Sequence, residues 1–420
     1  MPRDTDARSP AQPCRAPLPS DTRFVTRMVW LVGLSHATNH FVMLIFPVVL
    51  LLVQQEFDLG YAELGILAGA SSLCFGLGAL PAGLLADRLG GTRVLAAWLT
   101  GAGLACCGVG VSSGPRTLAT GLAALGLFAS LHHPAGSGVL VGLGPRLGTH
   151  LGRAFGLSGI LGNIGVAASP VLTAMIGVRW GWRAAFLLSA LPCWFLAGPL
   201  WRCPAPAAAP RPASGYASLR NALTPPLILL FGFETLMGFV FQGFSTFLPA
   251  FLAGFAGIPA ATAAQVTRGG VLASLALLFG GLGHLVAGRL MGSRRREVAF
   301  PIAVTVSTLC LFGMGLTGGT LLVFLCMLFS CTHFALGTIS NTFMAQHTPP
   351  RLGGTVFGVT FALAFGVGSL APAGMGVVGG RLGLAAVFVQ LGLVSVLAVA
   401  LATAFIGRTG TRRLGRRPAG

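Results

Sequence analysis

The sequence predicts an all-α membrane protein of twelve transmembrane helices in two pseudo-symmetric six-helix bundles, and three observations carry that prediction. The 420-residue chain is 54% hydrophobic and only 9% charged, where a soluble globular protein has roughly 25% charged residues. Two stretches repeat 202 residues apart: Gly152-x-x-Phe155-Gly156 leading to Pro170 recurs as Gly354-x-x-Phe357-Gly358 leading to Pro372. Pro47 and Pro249 keep the same offset, as do the Gly-Trp-Arg-Ala-Ala-Phe run at 181–186 and Gly-Leu-Ala-Ala-Val-Phe at 383–388. A period this long means duplicated half-domains and not a solenoid. The third observation is the basic residues, all 27 of them arginine, which fall between long apolar runs and not on one face. That placement excludes a nucleic-acid footprint despite a net charge of +18.

Taken in chain order, residues 1–22 are rich in Pro, Arg and Asp without an apolar core behind a basic start or a cleavage-type ending. They read as a disordered cytoplasmic tail, not a signal peptide. The N-terminal bundle, 23–201, holds apolar runs at 27–53, 62–85, 93–112, 117–144, 153–176 and 184–201, each near the roughly 20 residues a bilayer crossing needs. A polar connection at 202–222, with Arg202, Arg211, Arg220 and several prolines, falls at the repeat boundary. The C-terminal bundle, 223–407, supplies 224–254, 267–289, 298–317, 319–345, 355–378 and 384–407, and a basic cytoplasmic tail follows at 408–420. Of the arginines, 22 lie on one side of these spans and only Arg116, Arg179, Arg183, Arg268 and Arg381 on the other. Cytoplasmic loops carry the basic excess, so both termini and the linker are expected to be cytoplasmic, in a cell (inner) membrane. Seven of the nine cysteines lie inside apolar runs and no Cys-x-x-Cys pair occurs, which indicates neither a disulfide framework nor a zinc site. No nucleophile with a base partner, metal-ligand spacing or phosphate loop is present, so no enzyme, cofactor or resident metal is expected.

Between the second and third spans lies Gly83-Leu-Leu-Ala-Asp87-Arg88-Leu-Gly90-Gly91-Thr-Arg93, which resembles the signature loop of the major facilitator superfamily. An acid at the cytoplasmic end of a helix sits at the unfavourable end of the dipole and seeks a cationic or helix-N-terminal partner. The resemblance implies a conformational switch at Gly83, Asp87, Arg88, Gly90 and Arg93, with Asp87 docking around Gly353 to Thr355 and favouring the outward-open state. The second copy has Gly288 where Asp87 stands, so the latch is expected to be one-sided. Gly159, Gly162, Gly165 and Pro170 resemble a degraded form of a pattern in the superfamily's antiporters. They read equally as close packing of small residues.

An ionisable residue within a span is costly enough to be read as functional by default. His36, Asn39 and His40 lie in the first span, His132 and His133 in the fourth, Asn163 in the fifth, Glu234 and Gln242 in the seventh, and His333 and Asn341 in the tenth. The superfamily's fold implies that spans one, four, seven and ten line the central cavity, and all but Asn163 fall there. His36, Asn39 and His40 share a helix face at i, i+3, i+4, as do His333, Ser340 and Asn341 at i, i+7, i+8. Under the repeat His40 maps to Gln242, and His133 or His132 to His333. The expected substrate cavity is therefore His36, Asn39, His40, His132, His133, Gln242, His333 and Asn341. Glu234, the only carboxylate well inside a span, is expected to take up and release a proton as the cavity alternates between dry and wet, with His40 and His133 as further proton carriers.

Ser35-His36-Ala-Thr-Asn39-His40-Phe, Leu131-His132-His133-Pro134-Ala-Gly136 and the Gly152 to Gly165 segment are similar to the fosmidomycin-resistance branch of the superfamily. That branch commonly has an Asp after the first-span Asn, where this chain has His40, which moves weight to Glu234 and the histidines. Two tandem six-helix halves place a substrate site at their interface near the bilayer midplane. The resulting expectation is a monomeric, proton-coupled exporter, or antiporter, of a small organic and anionic compound, of the kind linked to drug resistance. Uptake by symport is the alternative. Transition-metal transport is a third reading, since His40 and Met43 are i, i+3 neighbours and suit borderline cations.

Overall fold

Long apolar runs in a bilayer are confined to helices, because only there do backbone amides satisfy one another within the segment. The computed structural model describes residues 22–147, 150–203, 223–254, 262–291, 295–348 and 353–414 and places sixteen helices in them. The first bundle comprises α1 (Thr22–Met43), α2 (Ile45–Phe57), α3 (Tyr61–Leu89), α4 (Gly91–Gly110), α5 (Pro115–Ala129), α6 (His132–Gly142), the single turn α7 (Gly144–Leu147), α8 (Leu151–Trp180) and α9 (Trp182–Arg202). The second comprises α10 (Pro225–Ala253), α11 (Thr262–Leu290), α12 (Arg295–Leu316), α13 (Gly319–His347), α14 (Gly353–Gly366), α15 (Leu370–Leu382) and α16 (Leu384–Leu414). The expected tail at 1–22 and linker at 202–222 lie almost wholly outside the described residues. At the other end α16 continues to Leu414, past the expected limit at 407.

Eleven segments of the described residues are long and apolar enough to cross a membrane. The fourth expected span, 117–144, is instead divided into α5 and α6, with Ser130 and Leu131 between them still in right-handed helical conformation. Pro134 explains the division: a proline lacks the amide that would bond four residues back, and its ring crowds that carbonyl, here Ser130. The first span breaks in the same way at Leu44, three residues before the amide-less Pro47, and the eleventh breaks between Gly366 and Leu370 ahead of Pro372. Yet α10 runs unbroken through Pro249 and α8 through Pro170.

The duplication is visible in the backbone. Gly181 and Gly383 both adopt φ of +85°, a region open to glycine at little cost, and each launches the last helix of its bundle. One hydrophobic core runs through the first bundle and into the second through Phe244, Phe247, Phe329 and Phe388. A separate core, around Phe231, Phe233, Phe300, Phe343 and Phe405, belongs to the second bundle alone.

Besides the packing of α2 on α10 and α11, two seams join the bundles: α3 against α14 and α15, and α8 against α11. Each is built on a duplicated proline. A methyl group added to Gly65 would overlap the Pro372 carbonyl, and one on Gly270 would overlap the Pro170 carbonyl. The Val171 amide donates to Ser274 Oγ at 2.9 Å across the second seam. At the end carrying the termini, no comparable packing joins α6 to α13 or α8 to α14 among the described residues. Among the described residues the bundles are therefore held together chiefly through these seams.

Candidate functional site

The first bundle gathers four imidazoles. The face of α1 carrying His36, Asn39 and His40 meets the start of α6, where the chain resumes its helix at His132 and His133. Ring centroids lie 4.8 Å apart for His36 and His40, 5.0 Å for His36 and His132, and 5.2 Å for His132 and His133. Room for the His36 ring comes from α8, since a methyl on Gly162 would meet that ring, while Gly165 lets α8 approach the Ala37 carbonyl. The glycines of the fifth span that looked like an antiporter pattern are therefore also the packing surface under His36; Gly159 faces open space.

Hydrogen bonds fix much of the protonation pattern. A carbonyl only accepts, so His36 Nδ1 donates to the Ser158 carbonyl at 2.8 Å. In a neutral ring His36 Nε2 is then an acceptor, and His40 Nε2, 3.0 Å away, must donate to it. One further proton turns this pair into an imidazolium hydrogen-bonded to an imidazole. Trp98 donates its indole proton to Ser35 Oγ at 2.8 Å, and Ser35 Oγ lies 3.1 Å from His132 Nδ1. Asn39 is spent on the backbone, donating to the Ala129 carbonyl at 2.9 Å, one of the carbonyls freed where α5 ends.

The second bundle treats its polar groups differently. His333 stacks on Phe241, with centroids 5.0 Å apart, and packs against Phe329 and Phe334. Its Nδ1 is buried without a hydrogen-bond partner, as are Gln242 Nε2, Glu234 Oε1 and, on α8, Asn163 Oδ1. The Ser340 hydroxyl donates to the Gly337 carbonyl at 3.4 Å. Ser340 is buried while Asn341, expected in the cavity, is exposed. One residue is about 100° of helix rotation, enough to separate the two. One residue escaped sequence reasoning: His284 of α11, whose Nδ1 lies 2.8 Å from Thr338 Oγ1 and whose ring packs edge-on to Phe334. Its signal is an ionisable side chain inside the apolar run 267–289.

Between the bundles lies a cavity of about 80 Å³, lined among others by Asn39, His40, Ser71, His133, Gln242 and Phe365. That is room for a few waters. His40 and Gln242, equivalent under the repeat, both line it. His133 and His333 do not touch; each stacks on a phenylalanine, Phe361 and Phe241 respectively, and Phe361 reaches His133 from the opposite bundle. The expected switch loop makes the turn its glycines suggest: α3 ends at Leu89, Gly90 takes φ of +87°, and its amide caps the Ala86 carbonyl at 3.0 Å. Arg88 and Arg93 are exposed and Gly83 has open space beside it. The Asp87 side chain and those of Gly353 to Thr355 lie outside the described part of the structure, as therefore does their docking.

The chain matches the Major Facilitator Superfamily over residues 29–372. It is 26% identical over 169 residues to the uncharacterized MFS-type transporter YfnC of Bacillus subtilis (strain 168), an alignment covering 40% of this chain and 41% of the relative, so it spans about two fifths of that protein's length. Among solved structures, a bacterial homologue of the human lysosomal transporter Spinster, inward-facing and unoccupied, superposes with a TM-score of 0.72 at 16% identity, covering 92% of this chain and 97% of that one. A variant of the nucleoside transporter NupG gives 0.73 at 14% identity over 90% and 99%. Both likenesses concern the fold.

Proposed function

This chain belongs to the major facilitator superfamily, and on that premise we propose that it is a proton-coupled secondary transporter that exports a small organic compound across the cell (inner) membrane by alternating access. The observation that carries this reading is the set of buried polar atoms without partners, Glu234 Oε1, Gln242 Nε2, His333 Nδ1 and Asn163 Oδ1. A buried polar group left unpaired costs about 1–3 kcal/mol, a cost offset when a proton or a polar solute occupies the site. Glu234 in one bundle and the group of His36, His40 and His133 in the other are the two places where a proton can be held. The arginine asymmetry supports cytoplasmic termini. The motifs shared with the fosmidomycin-resistance branch support export, and a monomer is the working unit of the proposal.

The sign of coupling follows from which group meets the substrate. A solute that takes the proton's place at Glu234 exchanges with it, which is antiport. An anion that binds a protonated His36–His40 pair travels with the proton, which is symport, and that pair supports uptake of an organic anion as the second reading. Transport into vesicles of both orientations carrying an internal pH dye separates them, screened against phosphonates, antibiotics, organic acids and divalent metals. In inverted vesicles with an acidic interior, export by exchange makes the interior more alkaline as substrate enters. In right-side-out vesicles symport acidifies the interior instead. No movement of any compound under an imposed gradient, in either orientation, overturns proton coupling.

Asp87 is the proposed latch of the outward-open state. Asp87→Asn is expected to lower labelling of an outer-side cysteine by a membrane-impermeant thiol reagent, and equal labelling in both forms removes the latch.

A further inference from the structure

We propose that His36, His132 and His133, with His40 beside them, form a binding site for a divalent transition-metal ion of the Zn²⁺ class, reached from the cavity between the bundles. One ligand nitrogen from each of His36, His132 and His133 lies within 4.8 Å of the others, and His40 Nε2 stands 3.0 Å from His36 Nε2. Two imidazole nitrogens on one tetrahedral Zn²⁺, with bonds of about 2.0–2.1 Å, sit roughly 3.3 Å apart. The His36–His40 separation is close to that already, and the remaining nitrogens converge by small ring rotations.

The second, independent observation is what holds the far side of the rings. A ligating histidine donates its other ring N–H to a fixed acceptor, which orients the ring and raises its basicity. His36 Nδ1 donates to the Ser158 carbonyl at 2.8 Å, leaving Nε2 with its lone pair toward the cluster. His132 Nδ1 lies 3.1 Å from Ser35 Oγ, which is itself anchored by the Trp98 indole. When His132 donates to that oxygen, its Nε2 is likewise free to ligate. An imidazole-only set suits Zn²⁺, Co²⁺, Ni²⁺ or Cu²⁺ and not Mg²⁺ or Ca²⁺, which take oxygen ligands. His40 and His133 line the cavity, which gives the ion an entry path. An ion held there takes the lone pairs of the proposed proton step, so it acts as a brake on transport. The binding itself rests on the histidines and not on the transport reading, and is measured without transport.

The test uses the full-length protein in detergent, freed of any affinity tag and stripped with a chelator, titrated with Co²⁺ and then Zn²⁺. One saturable Co²⁺ per chain is expected, with the intense visible bands of a four-coordinate site, displaced by Zn²⁺. Ser35→Ala, which touches only the far side of His132, is expected to weaken binding by about tenfold, and His36→Gln or His132→Gln by more than that. Glu234→Gln and His333→Gln, in the other bundle, keep the wild-type affinity. Absence of saturable binding, or binding unchanged in the His36→Gln/His132→Gln double variant, overturns the proposal and marks an ion held elsewhere, such as at His150 or His347. A measurement on the unaltered protein guards against variants that do not fold: Zn²⁺ is expected to protect His36, His132 and His133, but not His150, from carbethoxylation read by mass spectrometry. Equal modification with and without Zn²⁺ also overturns it.

Discussion

At equivalent positions 202 residues apart, the first span of each bundle carries His36 and Gly238, and the fifth span carries Gly162 and Ala364. In the first bundle the imidazole occupies the space that Gly162 leaves open; in the second, Gly238 leaves the space and Ala364 fills it. The same helix crossing is kept while the bulk moves from one helix to the other. Where the bulk is a polar ring, it recruits partners, and the first bundle spends its polar groups on one another: His36 on Ser158, His40 on His36, Asn39 on Ala129 and Trp98 on Ser35. Where it is a methyl, the surroundings are phenylalanine, and Glu234, Gln242 and His333 keep atoms unspent. A hydrogen-bonded histidine cluster thus faces central side chains with open hydrogen-bonding capacity, Glu234, Gln242 and His333 together with Asn163 of α8, and what enters between the bundles is expected to complete them.

The largest effect belongs to the unspent side. Glu234→Gln keeps the shape but not the exchangeable proton, and is expected to reduce gradient-driven transport on the order of 100-fold while substrate binding, followed by ligand-induced thermal stabilisation, persists. Unchanged gradient-driven transport transfers the coupling to the histidines and reverses the assignment of roles. A smaller effect tests the swap itself. Gly162→Ala pushes a methyl into the His36 ring and is expected to cost about 1–3 kcal/mol of stability. Adding His36→Gly recreates the pairing of the second bundle, so the double variant should recover part of the loss, with a coupling energy of about 0.5–3 kcal/mol. Strict additivity of the two changes in denaturation experiments breaks the equivalence. The smallest is Trp98→Phe, which removes one donor to Ser35 and is expected to cost about 0.6 kcal/mol, the average for a hydrogen bond between membrane helices. A loss several times larger means the histidine network acts as one unit.

Much of this was legible before any coordinates. Span length, arginine asymmetry and the repeat follow from what a bilayer demands of a chain, and these are properties of runs of residues. Single-residue outcomes were less legible. Pro47 interrupts its span and its counterpart Pro249 does not, because neighbouring helices decide whether the freed carbonyl is accommodated. Ser340 is buried while Asn341 is exposed, a matter of helix phase that i, i+7, i+8 spacing leaves ambiguous. His284 required knowing that α11 turns its face toward the bundle interface. The crossing of His36 over Gly162 was present in the repeat as a reciprocal exchange of residues, but only packing gives that exchange a meaning.

The two closed seams place a glycine of one bundle against a proline carbonyl of the other, Gly65 on Pro372 and Gly270 on Pro170. Contacts made by main chain have almost no rotamers to freeze, whereas ordering a long side chain costs up to about 1.5–2 kcal/mol. Such a closure can separate and re-form repeatedly with little entropic toll at these points. Under the proposed proton-coupled cycle, the balance between the two end states is then left to the occupancy of the polar groups at the centre, so that cargo and proton, and not the gate itself, would set the direction of each turn.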